Sequence, residues 1–104
     1  MDRLPFAKPE RYIDPTLLRA YARLHAACEV DGCRHRPAPE PHHIKPRALG
    51  RDDRPENLLR LCRRHHGEVH ALGGRRWFAR YRERLLPEVR AKVARALALE
   101  GADA

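Results

Sequence analysis

The stretch LCRRHHGEVH, residues 61–70, places one cysteine and three histidines within ten positions. Successive residues of an α-helix point about 100° apart, whereas residues four apart share a face. If this stretch is helical, His66 and His70 reach one point in space while His65 points elsewhere. The histidines should therefore divide between two metal sites, and this division constrains the fold more than any other feature of the chain.

A first site is indicated by three cysteines that lie in two separate segments. Cys62 and His65 are three residues apart, a spacing that lets both reach one ion, and the stretch CEVDGC supplies Cys28 and Cys33 around an Asp-Gly turn. Three thiolates and one imidazole make a closed tetrahedral zinc site of structural type, which in a short chain contributes directly to folding. The alternative is that the cysteines are merely small buried apolar residues. Their spacing favours ligands in a reducing compartment over disulfides.

A second site is indicated by HHIKP, residues 42–46, which is typical of a short strand. Adjacent side chains of a strand point to opposite faces, so one of His42 and His43 can hold a metal while the other has a different role. With His66 and His70 this predicts an open site, with two or three imidazoles and free positions for water and substrate. The alternative is that these histidines only contact phosphate beside the arginines.

The charge balance favours a polyanionic partner, with nucleic acid as the first candidate. The chain has 104 residues, 22 Lys and Arg against 14 Asp and Glu, and a formal net charge of +8. The segment from Arg34 to Arg80 has 12 basic and 5 acidic residues, so most of this charge lies on the segment with the metal ligands. Arg75, Arg76 and Arg80 near Trp77 form either part of a nucleic-acid track or a solvated helix face with Trp77 in the core.

Composition also bears on the setting of the protein. No apolar run approaches the length of a membrane span or a secretory signal, so we expect a soluble, cytoplasmic protein. Gln and Ser are absent, and Asn, Thr and Met occur once each. This depletion of heat-labile residues indicates either a thermophile or a GC-rich genome.

The positions of prolines, glycines and helix-capping residues predict one small α+β domain over residues 1–104. An extended arm covers 1–13, and Asp14-Pro15 starts a helix over 14–27 that runs into the first cysteine. The metal-binding region covers 28–72; its proline-rich stretch 34–41 excludes a helix, and KPRALGRDDRPEN forms a compact loop. Helices follow over 74–100, one from Trp77 and one that opens at Pro87.

The order of these motifs resembles the His-Asn-His (HNH) endonucleases, a branch of the ββα-metal nucleases. The resemblance covers about residues 28–80: Cys-x4-Cys, HHIKP, a Gly-containing loop, ENLLRLC and RRHHGEVH follow in the family's order. Asn57, the only asparagine of the chain, stands where the family has its central Asn. The resemblance implies a ββα-metal (His-Me finger) core with a zinc knuckle, flanked by N-terminal and C-terminal helices. The stretch HHGEVHALGGRRWFARY further resembles phage and prophage members.

The resemblance also implies a role for each residue of the site. His43 matches the general base, and Asn57 matches the residue that braces the loop and orients this base. His42 and His66 match metal ligands, and His70 matches a third ligand that some members use, the colicin-type DNases among them. Many members have four zinc cysteines in two Cys-x2-Cys pairs, whereas here the first gap is longer and His65 takes the fourth place. Four residues are candidate nucleic-acid contacts: Lys45, Arg47, Arg75 and Arg76.

The implied function is hydrolysis of DNA phosphodiester bonds to a 5′-phosphate and a 3′-hydroxyl. Besides structural Zn²⁺, such a site would use Mg²⁺, Mn²⁺, Ni²⁺ or Zn²⁺ for catalysis. The expected partner is DNA, with phage packaging or recombination proteins as further partners and no membrane. One alternative is a zinc-stabilised, non-catalytic nucleic-acid-binding module. Another is a restriction-type nuclease that a partner directs to its target.

Overall fold

The first helix begins where the sequence predicts and ends earlier. In the computed structural model, which describes residues 11–99, α1 spans Pro15–Leu24. The side chain of Asp14 accepts a hydrogen bond from the Leu17 N–H at 3.0 Å, and Pro15 occupies the first turn, as predicted. The expected continuation to residue 27 is wrong. The Glu29 N–H donates to the Arg60 carbonyl at 2.7 Å, so the chain leaves the helix to run beside residue 60.

The predicted extended arm lies largely outside the described residues. At the described end of this segment, Tyr12 forms an isolated parallel β-bridge with Asp52. The Tyr12 N–H donates to the Arg51 carbonyl at 2.6 Å, and the Asp53 N–H donates to the Tyr12 carbonyl at 2.7 Å. Tyr12 therefore lies against a loop that joins two short strands.

Those two strands form an antiparallel pair. Strand β1 is His42–His43, strand β2 is Leu58–Leu59, and His42 lies opposite Leu59 while His43 lies opposite Leu58. The proline-rich segment before β1 contains no helix, as predicted, but Pro37 forms an isolated bridge with Cys62. The loop between the strands contains two short 3-10 turns, Arg47–Leu49 and Pro55–Asn57.

Three further helices follow β2. Helix α2 spans Arg63–Leu72 and ends at Gly73, whose φ of 87° suits a residue without a Cβ. Helix α3 spans Gly74–Tyr81, and α4 spans Pro87–Ala96 with its proline in the first turn, as predicted. Gly73 is thus the only residue between two helices, because Gly74 already belongs to α3.

The fold over residues 11–99 is α+β, with four α-helices and one two-stranded sheet. Trp77 and Phe78 of α3 are buried in the core. Of the two alternatives for this region, the one that places Trp77 in the core is confirmed. Val89 and Val93 of α4 are buried against them, and Leu97 is partly buried, as the helical spacing predicts. Among the described helices, none combines the length and the apolarity that crossing a membrane requires.

Candidate metal centres and the histidine cavity

The three cysteines and His65 converge in one buried cluster, which we call the cysteine cluster. The Cys33 and Cys62 sulfurs lie 4.0 Å apart, and Nδ1 of His65 lies 3.2 Å from the Cys62 sulfur and 3.5 Å from that of Cys28. All four ligand atoms lie within 4.8 Å of one another. The sequence prediction that these four side chains come together is confirmed.

The dimensions of the cysteine cluster are compatible with zinc. Zn–S bonds of about 2.3 Å and Zn–N bonds of about 2.0–2.1 Å in a tetrahedron put two sulfurs about 3.8 Å apart, and a sulfur and a nitrogen about 3.6 Å apart. The distances in the cluster fall close to these values. Cys62 also caps α2, because its sulfur accepts a hydrogen bond from the His65 N–H at 3.4 Å. This bond fixes the spacing between the third and fourth ligands.

The cluster is almost closed to solvent. Cys28, Cys62 and His65 are buried, and Cys33 is partly buried. Burial raises the pKa of the Cys28 thiol to about 11. Burial also acts on Cys33, but hydrogen bonds from the His35 N–H and the neighbouring thiols, with the charge of Arg84, outweigh it and lower the pKa of Cys33. A cation at the centre would favour all three thiolates.

His42, His66 and His70 form a second group, the histidine cluster. Nε2 of His66 lies 3.1 Å from Nε2 of His70, and the ring of His42 lies 5.1 Å and 5.9 Å from those two rings, between centroids. One nitrogen from each ring lies within 4.8 Å of the others. Two nitrogens bound at about 2.05 Å would be about 2.9 Å apart at an octahedral angle and about 3.3 Å apart at a tetrahedral angle. The observed 3.1 Å lies between these values.

The histidine cluster is well suited to neutral imidazole ligands. Burial, followed by the proximity of His66, His70 and His43, lowers the pKa of His42 to about 3. Burial and the proximity of His70 likewise lower the pKa of His66. A metal needs the unprotonated ring nitrogen, so little proton competition opposes binding near neutral pH. Unlike the cysteine cluster, this group is open, since His70 is exposed.

The histidine cluster lines a cavity of about 430 Å³. His43 borders the same cavity, although it is only 8 % exposed. The ring of His42 lies against His66 and His70 of α2. The ring of His43 instead bonds to a residue of the loop between the strands. The strand alternation predicted for the two histidines explains why only His42 joins the histidine cluster. The remaining lining residues are Glu40, Pro41, Ile44, Pro46, Arg47, Val69, Gly73 and Gly74.

The residue that holds His43 is Asp53, which the sequence reading did not single out. Nε2 of His43 lies 2.7 Å from Oδ1 of Asp53. The Asp53 carboxylate also accepts from Nε of Arg51 at 3.0 Å and 3.2 Å, and from the Asp14 N–H at 2.7 Å. Burial tends to raise the pKa of Asp53, but these three donors outweigh it and hold the pKa at about 2. The carboxyl group is therefore ionised at neutral pH.

Asn57 closes the loop between the two strands. Its Oδ1 accepts from the Lys45 N–H at 2.8 Å, and its Nδ2 donates to the carbonyls of Asp52 at 3.0 Å and Lys45 at 3.4 Å. Its own carbonyl accepts from the Ile44 N–H at 2.8 Å. This buried amide ties Lys45, two residues after β1, to Asp52, the residue before Asp53. It thereby fixes the distance between His43 and the carboxylate that holds it.

Comparison with the models of known protein families, with curated proteins and with solved structures gives no match for this chain.

The four candidate nucleic-acid contacts occupy different places. Arg47 borders the histidine cavity. Lys45 borders a smaller neighbouring depression, whose lining includes Arg11, Arg51 and Arg54. Arg75 instead donates to the Leu97 carbonyl at 3.1 Å, at the end of α4, and Arg76 is exposed on α3. Proximity to the cavity thus distinguishes Arg47 and Lys45 from the pair on α3.

Proposed function

We propose that this chain is a metal-dependent endonuclease of the HNH type, which hydrolyses phosphodiester bonds of DNA. The observation that carries the proposal is the shared cavity: three imidazoles converge on one point of it, and a fourth histidine with a different partner borders it. A site that only bound a structural ion would have no use for His43 held by a buried carboxylate at the same cavity.

The proposal assigns one task to each side chain at the cavity. His43 takes a proton from the attacking water, since a neutral imidazole is a base near neutral pH. Asn57 braces the loop that carries the His43 contact. Arg47 at the rim contacts a phosphate oxygen of the backbone. These tasks need no reading of bases, so the proposed enzyme has weak sequence preference by itself.

His42, His66 and His70 would hold the catalytic divalent ion. Their imidazole nitrogens fit Zn²⁺ or Ni²⁺, and three ligands leave positions for water, which Mg²⁺ and Mn²⁺ also require. When bound there, the ion supplies Lewis-acid stabilisation of the charge that develops on the phosphate oxygens. The chain's own part is to present three imidazoles and His43 to the same cavity.

We further propose that the cysteine cluster holds a structural Zn²⁺ and that β1, β2 and α2 form a ββα-metal core around the histidine cluster. Support for the first comes from the interatomic distances and the near closure of the cluster. Support for the second comes from the order of the elements, since the two strands pair directly and α2 supplies two of the three imidazoles. The zinc knuckle would then prop the N-terminus of α2.

The experiment that tests the proposed function is cleavage of supercoiled plasmid by the purified chain. Mg²⁺, Mn²⁺, Ni²⁺, Co²⁺ and Zn²⁺ are added singly, and each reaction has a matched tube with excess chelator. We expect conversion to the nicked and linear forms with at least one ion, and none with chelator. Intact plasmid under every ion, with bound zinc verified in the same preparation, would contradict the proposal.

A second candidate is a non-catalytic nucleic-acid-binding module, and the low exposure of His43 favours it. Such a module would shift the mobility of DNA in a gel without breaking it. The same plasmid incubations distinguish the two candidates, because only the nuclease produces new 5′-phosphate ends. Labelling of these ends by ligation is therefore measured alongside the gel shift.

A further inference from the structure

The environment of Asp53 determines which nitrogen of His43 carries a proton. The Asp53 side chain is fully buried, and the Arg51 guanidinium and the Asp14 N–H both donate to it. An ionised carboxylate has only acceptors to offer. At 2.7 Å, Nε2 of His43 must therefore be the donor, because an unprotonated Nε2 would set two lone pairs against each other.

A neutral imidazole has one N–H, so a proton on Nε2 leaves Nδ1 as the nitrogen with a free lone pair. We propose that Asp53 is a positioning residue that keeps the His43 proton on Nε2, so that Nδ1 is the nitrogen presented as base. This inference rests on the proposed function for its catalytic meaning. The position of the proton itself is a property of the folded chain and is measurable without any reaction.

The network around Asp53 is built from three separate segments. Arg51 belongs to the loop of Asp53, Asp14 caps α1, and His43 lies on β1. The bridge between Tyr12 and Asp52 holds the first two segments together. Three donors and complete burial restrict the carboxylate to one orientation, and the carboxylate in turn restricts the His43 ring. Neighbouring Asp52 has no such role, because its carboxylate pairs with Arg54 at the surface.

Asp52 therefore provides a matched control for Asp53. Asp53→Asn and Asp52→Asn remove the same charge from adjacent positions, and only the first changes the partner of His43. An amide at position 53 cannot accept from all three donors. We expect the His43 ring to lose its single tautomer in Asp53→Asn, with a fall in kcat of about 10- to 1,000-fold and little change in KM. Asp52→Asn should keep the wild-type tautomer and kcat.

The test uses the full-length, zinc-loaded, ¹⁵N-labelled protein and long-range ¹H–¹⁵N spectra of its imidazoles. Protonated and unprotonated ring nitrogens have well-separated shifts, and the His43 signals are identified by their absence from His43→Gln. A proton on Nε2 in the wild type, which Asp53→Asn redistributes, is the expected result. A proton on Nδ1 in the wild type overturns the inference, and so does an Asp53→Asn variant with unchanged tautomer.

Plasmid cleavage by the same proteins separates this inference from the proposed function. If the wild type does not cut DNA, the proposed nuclease is wrong, and the tautomers of the wild type and Asp53→Asn alone decide the positioning role. If the wild type cuts DNA and Asp53→Asn cuts equally fast, the positioning role is wrong and the nuclease stands. A slow Asp53→Asn variant that also has a redistributed tautomer supports both.

Discussion

Two histidines that are adjacent in the sequence serve two unlike centres. His65 points into the core, where its Nδ1 meets the sulfur of Cys62, which caps the same helix, and those of Cys28 and Cys33 from one other segment. His66 points to a different side of α2, where it meets His70 and His42 beside an open cavity. The 100° step of a single helix is sufficient to separate the two groups. A ten-residue helix thus joins two candidate metal-binding groups of the described chain, one buried and one open.

The difference between the two clusters lies in completeness and access. The cysteine cluster has four ligands, enough to fill a tetrahedral shell, and it sits among the core residues of α3 and α4. The histidine cluster has three ligands and a cavity in front of them. A closed shell stabilises a fold, whereas an incomplete shell leaves positions at which water and a substrate can bind. We therefore expect changes in the two clusters to separate folding from activity.

The largest effect is expected from Cys62→Ala. This change removes both a ligand of the cysteine cluster and the cap of α2. We therefore expect the variant to bind no zinc, to be unfolded at 25 °C and to show no cooperative unfolding transition on heating. His66→Ala is the matched control from the other cluster, with a melting temperature within a few degrees of the wild type. Calorimetry and metal analysis check both variants. A normal transition in zinc-free Cys62→Ala would show that the cysteine cluster does not support the fold.

The next effect concerns activity alone. His43→Ala should lower the rate of plasmid cleavage by about 10²- to 10⁴-fold, the usual range for loss of a general base. Fold and zinc content should remain, since His43 belongs to neither cluster. Circular dichroism and metal analysis accompany the cleavage assay. Wild-type cleavage by this variant would remove His43 from the mechanism and leave the histidine cluster without a base.

Much of the site could be predicted from the sequence because its geometry is local. Helical spacing separates His65 from His66 and joins His66 to His70, and strand alternation separates His42 from His43. Each of these rules acts over a few residues, so it needs no knowledge of the tertiary fold. The convergence of Cys28 and Cys33 on Cys62 is not local, and it was predicted from the chemistry of zinc rather than from geometry.

The features that the sequence does not predict lie in irregular backbone. Asp52 and Asp53 are equivalent in the sequence, yet the loop buries one beneath His43 and leaves the other paired with Arg54. No periodicity describes such a loop, so its composition predicts only that it is compact. The early end of α1 has the same origin, because the pairing of Glu29 with Arg60 joins residues 31 positions apart. The HNH assignment itself remains a prediction.

A smaller effect is expected from acid. Because the pKa of Asp53 in the fold is about 2, below the value of about 3.9 for a free side chain, its ionised form stabilises the fold. This contribution, roughly 2 kcal/mol, is complete above about pH 5 and is lost as the pH falls through 4 toward 2. Urea unfolding of the wild type and Asp53→Asn at pH 7 and 3.5 checks it.

The expected result is a gap in unfolding free energy between the wild type and Asp53→Asn that narrows at the lower pH. Asp52→Asn is again the control, and its gap should be smaller because the Asp52–Arg54 pair lies near solvent. All three proteins are measured in excess Zn²⁺, and metal analysis verifies bound zinc at each pH, because the fold is expected to need it. An equal gap at both pH values would mean that the Asp53 carboxyl is not selectively stabilised in its ionised form.

The smallest effect concerns DNA binding and distinguishes the cavity rim from α3. Arg47→Gln removes a charge beside the histidine cavity, whereas Arg75→Gln removes one whose guanidinium already donates to the Leu97 carbonyl. If the phosphate track passes the cavity, Arg47→Gln weakens binding to all sequences alike and lowers the slope of log K against log salt by about one. Arg75→Gln should leave this slope unchanged. Fluorescence anisotropy with a short duplex measures both slopes in zinc-loaded proteins that also carry His43→Ala, which slows cleavage without removing structural zinc. A larger change for Arg75 would move the track from the cavity rim to α3.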